Sequence, residues 1–244
     1  MTNSLNIGRV DMNTDIAIRL TDWSIHMANN GQSKLTEEIL MMRGLSSVKM
    51  RHFLNNLCSI PDNRYLEVGV WQGSTFISAV YDNEMHRLPV GIDDFSYGTL
   101  DLDVKLRRSL YCNIHLKHRK YKFIDQDCFT VDLVEGPGPT IVGSGCGAEG
   151  YRTYQSNNPF DIYFYDGDHD EAAQEKGITH FANVLSSTVI IVVDDWNWAT
   201  TKNGTAAAFK KLNWTISKQW ELPATGNQDQ ENWWNGVAVF VINK

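Results

Sequence analysis

In the stretch FDIYFYDGDHDEAAQ, Phe160 to Gln174, an apolar segment of strand character runs straight into Asp166, Asp168, His169, Asp170 and Glu171. Neighbouring carboxylates repel, and burying them unpaired is costly, so packing alone does not account for them. A second acidic pair, Asp194 and Asp195, closes another apolar run, STVIIVVDD. If the two runs are parallel strands of one sheet, their carboxyl ends share an edge, and ligands of such sheets bind there. Carboxylates from Asp166, Asp194 and Asp195 meeting at that edge suit Mg2+ or Mn2+, hard ions that take oxygen ligands and keep positions for waters or substrate hydroxyls. Each group also has a plain structural use: His169 can hydrogen-bond near a helix start, and Asp194 and Asp195 can act as caps.

The elements that must position these residues are readable from hydrophobic patterning. From Arg64 onward, short apolar runs alternate with longer mixed segments, which predicts strands, crossover helices and a mostly parallel sheet. The strand candidates are RYLEVGV, LPVGID, YKFIDQ, FDIYFYD, STVIIVVDD, SKQWEL and GVAVFVIN. The fifth is nearly all Val and Ile, the composition of a central strand covered on both faces. The fold class expected is α/β, with a Rossmann-like, doubly wound, seven-stranded sheet. Ahead of it, LTEEILMMRGLSSVKMRHFLNNLCSI carries apolar residues at helical spacing, broken near Gly44, and reads as one or two packed helices. The expected organisation is an N-terminal helical cap at 1–63 and a sheet domain at 64–244. Within the latter, the Gly-rich stretch from about 135 to 159 lacks periodicity and exceeds ordinary loop length, so it reads as an insertion.

The first strand leads into a second chemical feature. YLEVGVWQGSTFISAV sets Glu67, Gly69, Gly73 and Ser74 between a strand and a helix-like run. Glycines there permit a sharp turn and close approach to a ligand, while Ser74 and Thr75 can cap the helix. A purely structural turn explains such a pattern equally well. The spacing is neither the dinucleotide G-x-G-x-x-G nor a phosphate loop ending in Gly-Lys-Ser/Thr. It resembles the first motif of the class I S-adenosylmethionine-dependent methyltransferases, and a carboxylate beside the loop suits a cationic amino group better than pyrophosphate. The resemblance implies that Asp93, closing VGIDDF, accepts hydrogen bonds from a ribose diol, and that Asp127 and Cys128, in FIDQDCF, border the adenine. Taken singly, Asp93 and Asp127 equally suit strand-end or turn acids.

YDGDH together with VVDDW narrows the likeness, resembling a metal-dependent small-molecule O-methyltransferase group related to the macrocin O-methyltransferases, which modify sugars on macrolides. The likeness runs from about Tyr65 to Trp196. It implies an antiparallel last strand, helices on both faces of the sheet, Asp166, Asp194 and Asp195 as metal ligands, and His169 as general base. Coordination to a divalent ion lowers the pKa of an alcohol, and a histidine then removes the proton as the oxygen attacks the methyl group. Neither the N-terminal helices nor the Gly-rich insertion belongs to the matched pattern, so the acceptor is implied only as a small-molecule or sugar hydroxyl. Two competing readings are a non-catalytic Rossmann-like binding or scaffold protein, and a nicotinamide-dependent oxidoreductase, which the missing G-x-G-x-x-G argues against.

Composition narrows the remaining classes. With 244 residues, 42% of them hydrophobic, the chain can bury one large core. A net charge of -7 argues against a nucleic-acid partner, and the basic stretch from Lys105 to Lys122 reads as a solvated helix face, with an anionic substrate as the alternative. Cys58, Cys112, Cys128 and Cys146 are widely spaced, which predicts reduced thiols. No run reaches membrane-spanning length and the start has no basic flank before an apolar run, so a soluble, cytoplasmic protein without a membrane partner is expected. The patterning is compatible with a homo-oligomer but does not require one. Trp196, Trp198, Trp233 and Trp234 fall near strand ends, where packing is their commoner role and lining an acceptor pocket the alternative.

Overall fold

The computed structural model describes residues 12–61, 63–85, 88–97, 102–135, 154–156 and 159–244. Its strands, in chain order, are β1 (Tyr65–Val68), β2 (Val90–Ile92), β3 (Lys122–Ile124), β4 (Leu133–Glu135), β5 (Tyr154–Ser156), β6 (Phe160–Tyr165), β7 (Leu185–Val193), β8 (Thr215–Leu222) and β9 (Val237–Asn243). β4 and β5 pair only with each other, while the other seven form one sheet in the order β3-β2-β1-β6-β7-β9-β8. All neighbours in that sheet run parallel except β9, which is antiparallel to both β7 and β8. The seven strands, the parallel majority and the reversed last strand agree with expectation. Of the Gly-rich stretch at 135–159, only Glu135, 154–156 and Pro159 lie among the described residues.

Side-chain alternation divides the core into two layers. Ile162 and Phe164 of β6, Ile190 and Val192 of β7, and Val239 and Val241 of β9 face one layer. Tyr163, Tyr165, Ile191, Val193 and Phe240 face the other. The helices are α1 (Thr14–Asn29), α2 (Glu37–Leu40), α3 (Val48–Leu57), α4 (Ser74–Val80), α5 (Leu102–His115), α6 (Glu171–Phe181) and α7 (Ala199–Leu212). Residues of α1 to α5 share the first layer, and residues of α6 and α7 the second. Fully burying one such Val, Ile or Phe contributes about 1.5–3 kcal/mol relative to exposure, so both layers weigh heavily in the fold.

The break near Gly44 separates α2 from α3, and Arg51 ties the intervening loop down. Its buried guanidinium donates to the carbonyls of Ile39, Leu40 and Met42 at 3.2, 2.8 and 2.7 Å and to Ser46 Oγ at 3.0 Å. Burial lowers its pKa to about 10. The helix α1 has no strong apolar stripe to announce it, because Thr21 and Ser24 occupy its buried face beside Ala17, Leu20 and Ala28. Among the described residues no helix is long and apolar enough to cross a membrane.

The basic stretch behaves largely as a solvated helix face. Arg107 pairs with Asp103 one turn away, and Arg119 lies 3.4 Å from Asp82. Arg108 is the exception, being buried, and its role belongs to the candidate site.

On the second layer, α6 and α7 approach through Gly204. A Cβ added there would lie 2.5 Å from the Glu171 carbonyl oxygen and 2.7 Å from Gln174 Cβ. Helix propensity favours alanine over glycine by about 1 kcal/mol, but overpacking against backbone costs about 1–3 kcal/mol. Gly204→Ala is therefore expected to lower stability, read as a lower urea midpoint. A higher midpoint would mean that the two helices can part freely.

Candidate functional site

The parallel register assembles the site. Val68 is paired with Ile92 on one side and Tyr165 on the other, Ile92 with Ile124, and Tyr165 with Val193. The residues next in sequence are Asp125, Asp93, Gly69, Asp166 and Asp194, a row across the carboxyl edge of the sheet. Strand order reverses between β1 and β6, the place where open α/β sheets bind ligands.

Gly69 has φ +89°, and an added Cβ would lie 1.7 Å from the Asp166 carbonyl oxygen. The room that the sequence reading assigned to a ligand is filled here by the end of the neighbouring strand. Gly73, φ +87°, is itself the N-cap of α4, so Ser74 and Thr75 stand inside the helix and do not cap it. Their hydroxyls serve elsewhere. Ser74 Oγ lies 3.3 Å from Ser46 Oγ, and Thr75 donates to Glu67 at 2.6 Å. The other Glu67 oxygen accepts from the Tyr65 hydroxyl at 2.5 Å. Burial raises the Glu67 carboxyl to about 8, against the pull of these two donors.

Asp93 accepts from the backbone N–H of Trp71 and of Phe95, each at 2.6 Å. Both partners have left-handed backbones, φ 42° and 61°, a strain of about 1–3 kcal/mol each that the carboxylate holds in place. Burial raises its pKa, and these backbone donors oppose the rise. Asp127 is exposed and accepts from Phe129 N at 2.9 Å, capping a short 3-10 turn. Cys128 is half-buried, and burial, with Asp127 and Asp94 next, pushes its thiol up to about 12. The acid standing in the row at the end of β3 is Asp125, which sequence reasoning passed over. Arg108 holds it at 2.9 and 3.4 Å, with the guanidinium stacked 4.7 Å from the Phe95 ring centre and 4.2 Å from that of Phe123.

The acids after β6 divide by role. Asp170 caps α6 by accepting from Ala172 N and Ala173 N, and Asp168 accepts from Asp170 N. Asp166 has no such local task. Its Oδ1 lies 3.6 Å from His169 Nε2, and Asp195 Oδ2 lies 3.5 Å from the same nitrogen. The histidine is mostly buried, its Nδ1 3.1 Å from Gln174 Oε1, its ring perpendicular to those of Tyr165 and Trp198. Asp195, with φ 53°, accepts from Asn235 Nδ2 at 2.7 Å. Asp194 is buried, and its Oδ1 has no hydrogen-bond partner. Burial drives Asp166 and Asp194 well above the usual carboxylate range, and repulsion from the neighbouring acids adds to it.

Asp166, His169, Asp194 and Asp195 thus meet at one edge. Among the described residues no group of three or more His, Cys, Asp or Glu side chains stands ready to hold a metal ion. The donor chemistry nevertheless fits a divalent cation: the carboxylate oxygens are hard ligands, and the partnerless Asp194 Oδ1 lacks a positive group. Gln174 and Asn235, which touch His169 and Asp195, were missed because a neutral amide carries no charge or ligand motif of its own. Of the four tryptophans near strand ends, only Trp198 is substantially exposed, at 41%.

A seven-stranded sheet in this order, with one reversed strand inserted before the edge, is the fold of the class I S-adenosylmethionine-dependent methyltransferases. No family model and no curated protein matches the sequence. Among solved structures, the O-methyltransferase TomG from Streptomyces achromogenes, in complex with SAM, is similar with a TM-score of 0.53 at 13% identity, covering 96% of this chain and 100% of that one. The O-methyltransferase from Bacillus cereus, in complex with SAH, gives 0.50 at 11% identity over 96% and 94%. SMU.776, complexed with SAH, gives 0.50 at 13% identity over 83% of this chain, which spans 50% of that structure's length. Likeness at these identities establishes the fold.

Glu67 links the site to pH. An unfolded glutamate releases its proton near 4.5, whereas the folded chain holds this one to about 8, so the folded state binds more protons between those values. The stability this proton confers is present below pH 4.5 and falls as pH rises through 8. Glu67→Gln, uncharged throughout, is therefore expected to gain on the wild type by an amount on the order of a few kcal/mol from pH 4.5 to 8. Urea titrations at the two ends of this range check it, and a constant difference would mean that Glu67 is already ionised when folded.

Proposed function

We propose that this chain is an S-adenosylmethionine-dependent O-methyltransferase acting on a hydroxyl of a small molecule, with a sugar among the candidates. The observation that carries the reading is the register that sets Gly69 beside Asp166, and hence the glycine loop beside the acid and histidine cluster. The fold shared with TomG and the Bacillus cereus enzyme supports the same reading. The macrocin-like group is proposed on the YDGDH and VVDDW pattern. In this reading α1 to α3 form a helical cap on a methyltransferase domain at 64–244. Free thiols at Cys58, Cys112 and Cys128 are consistent with a reducing, cytoplasmic setting.

The cofactor is assigned to the loop from Glu67 to Ser74, with Asp93 toward its ribose and Asp127 and Cys128 toward its adenine. A carboxylate offers about four lone-pair sites, so Asp93, which already receives the backbone N–H groups of Trp71, Phe95 and Val70, retains one for a hydroxyl donor. Asp166, Asp194 and Asp195 would hold Mg2+ or Mn2+. A bound divalent ion would lower the pKa of an acceptor hydroxyl. Bound S-adenosylmethionine would supply the methyl group and leave as S-adenosylhomocysteine, and His169 would take the proton of the attacking hydroxyl. Its neighbours Tyr165 and Trp198 keep the ring from turning during that transfer.

Calorimetry against S-adenosylhomocysteine, S-adenosylmethionine and NAD tests the cofactor assignment. Binding of the first two and not the third is expected, and Asp93→Ala should weaken it. Methyl transfer from labelled S-adenosylmethionine to a panel of hydroxyl compounds should stop with excess chelator and return with Mg2+ or Mn2+. Full activity in chelator would remove the metal from the mechanism. His169→Ala is expected to cut turnover about 10²- to 10⁴-fold while leaving S-adenosylhomocysteine binding intact. Near-normal turnover would make the histidine structural.

A further inference from the structure

The His169 ring has two nitrogens in unlike surroundings. Nε2 is buried, without a hydrogen-bond partner, and lies 3.6 Å from Asp166 Oδ1 and 3.5 Å from Asp195 Oδ2. Nδ1 lies 3.1 Å from Gln174 Oε1. Which nitrogen of a neutral imidazole keeps the proton is decided by the bond the other nitrogen makes. An acceptor at Nδ1 requires a proton there, and Nε2 is the nitrogen that faces the acids.

Gln174 is held so that its oxygen is the atom presented. The residue is fully buried, and its amide nitrogen donates to Thr205 Oγ1 at 3.1 Å, Thr205 being buried on the facing helix α7. That reach exists because Gly204, the residue before Thr205, lets α6 and α7 come together where a Cβ would meet Gln174 Cβ at 2.7 Å. With its nitrogen committed to Thr205, the amide has only Oε1 to offer the ring.

We propose that Gln174, anchored by Thr205 across the α6 and α7 contact, is a positioning residue that keeps a proton on His169 Nδ1 and so turns Nε2 toward the acid edge. The proposal rests on the reading of His169 as general base, but its direct test does not. Gln174 touches neither acceptor nor cofactor and acts only through the ring.

The test uses the full chain labelled with ¹⁵N-histidine, in chelator and without cofactor, with long-range ¹H–¹⁵N correlation spectra reading the protonation of each ring nitrogen. The His169 signals are assigned by their loss in His169→Gln. The wild type and Thr205→Ser, which keeps the hydroxyl, should carry a proton on Nδ1. Gln174→Leu, and independently Thr205→Val, should lose it, with circular dichroism verifying the fold of each. In the methyl-transfer assay Gln174→Leu should lower kcat about 10- to 100-fold with little change in the KM for S-adenosylmethionine. A wild-type Nδ1 without a proton overturns the proposal, as does an unchanged Nδ1 in folded Gln174→Leu. An Nδ1 proton held in a chain that transfers no methyl group would instead count against the proposed function and leave the role of Gln174 standing.

Discussion

The carbonyl of Asp166 occupies the space that any side chain at residue 69 would need, and the rest of the edge follows from that contact. It holds the turn after β1 against the end of β6, at the point where the sheet changes its order of winding. With β1 and β6 locked in register, β2 and β7 on either side carry Asp93 and Asp194 into the same row. A slip of one residue in either pairing would send each of these acids to the opposite face. The glycine is therefore a structural requirement first, whatever it also does for a ligand.

A row of acids along one edge, some of them buried, is unfavourable, and the chain tempers it in different ways along its length. At β3, Asp125 is paired with Arg108. At β2, Asp93 is occupied by backbone N–H groups, and at β1, Glu67 by two hydroxyls. On the other side of Gly69 such partners thin out: Asp195 receives one amide, while Asp194 Oδ1 and His169 Nε2 receive nothing. The deficit of positive charge is thus concentrated beside the histidine, which is where proton transfer is proposed. Natural chains tend to leave such tension unrelieved only where it is used.

Much of this was legible in the sequence. Runs such as STVIIVV announce strands, since β-branched residues on both faces suit a covered sheet, and the acids that end them mark its carboxyl edge. The helix α1 was not legible, because Thr21 and Ser24 interrupt its apolar face. Nor was the choice of Asp125 over Asp127 as the acid in the row, since only register distinguishes two acids that sit two residues apart. Ser74 and Thr75 look like caps by type, yet the helix begins at a glycine and turns their hydroxyls to Ser46 and Glu67. The contact of Gln174 with Thr205 depends on helix crossing and that of Asn235 with Asp195 on a returning loop, neither of which leaves a local pattern. The Gly-rich insertion lies largely outside the described residues and adds nothing to the comparison.

The reversed direction of β9 has a consequence of its own. Because β8 runs with the parallel strands and β9 against them, the connection between Leu222 and Val237 turns back at the same edge as the acids. That connection is braced by Asp229, which accepts from Thr225 and Asn232, and it ends on Asn235, which reaches Asp195. A parallel strand in the same place would need a long crossover, commonly a helix, to carry the chain away. Here the chain returns as a hairpin whose two feet are fixed in the sheet. Residues inserted beyond the Asp229 brace would close a flexible loop, whose doubling in length costs only about 0.6 kcal/mol in closure entropy. The hairpin tip can therefore lengthen or change composition, reshaping what approaches the edge while the sheet stays as it is.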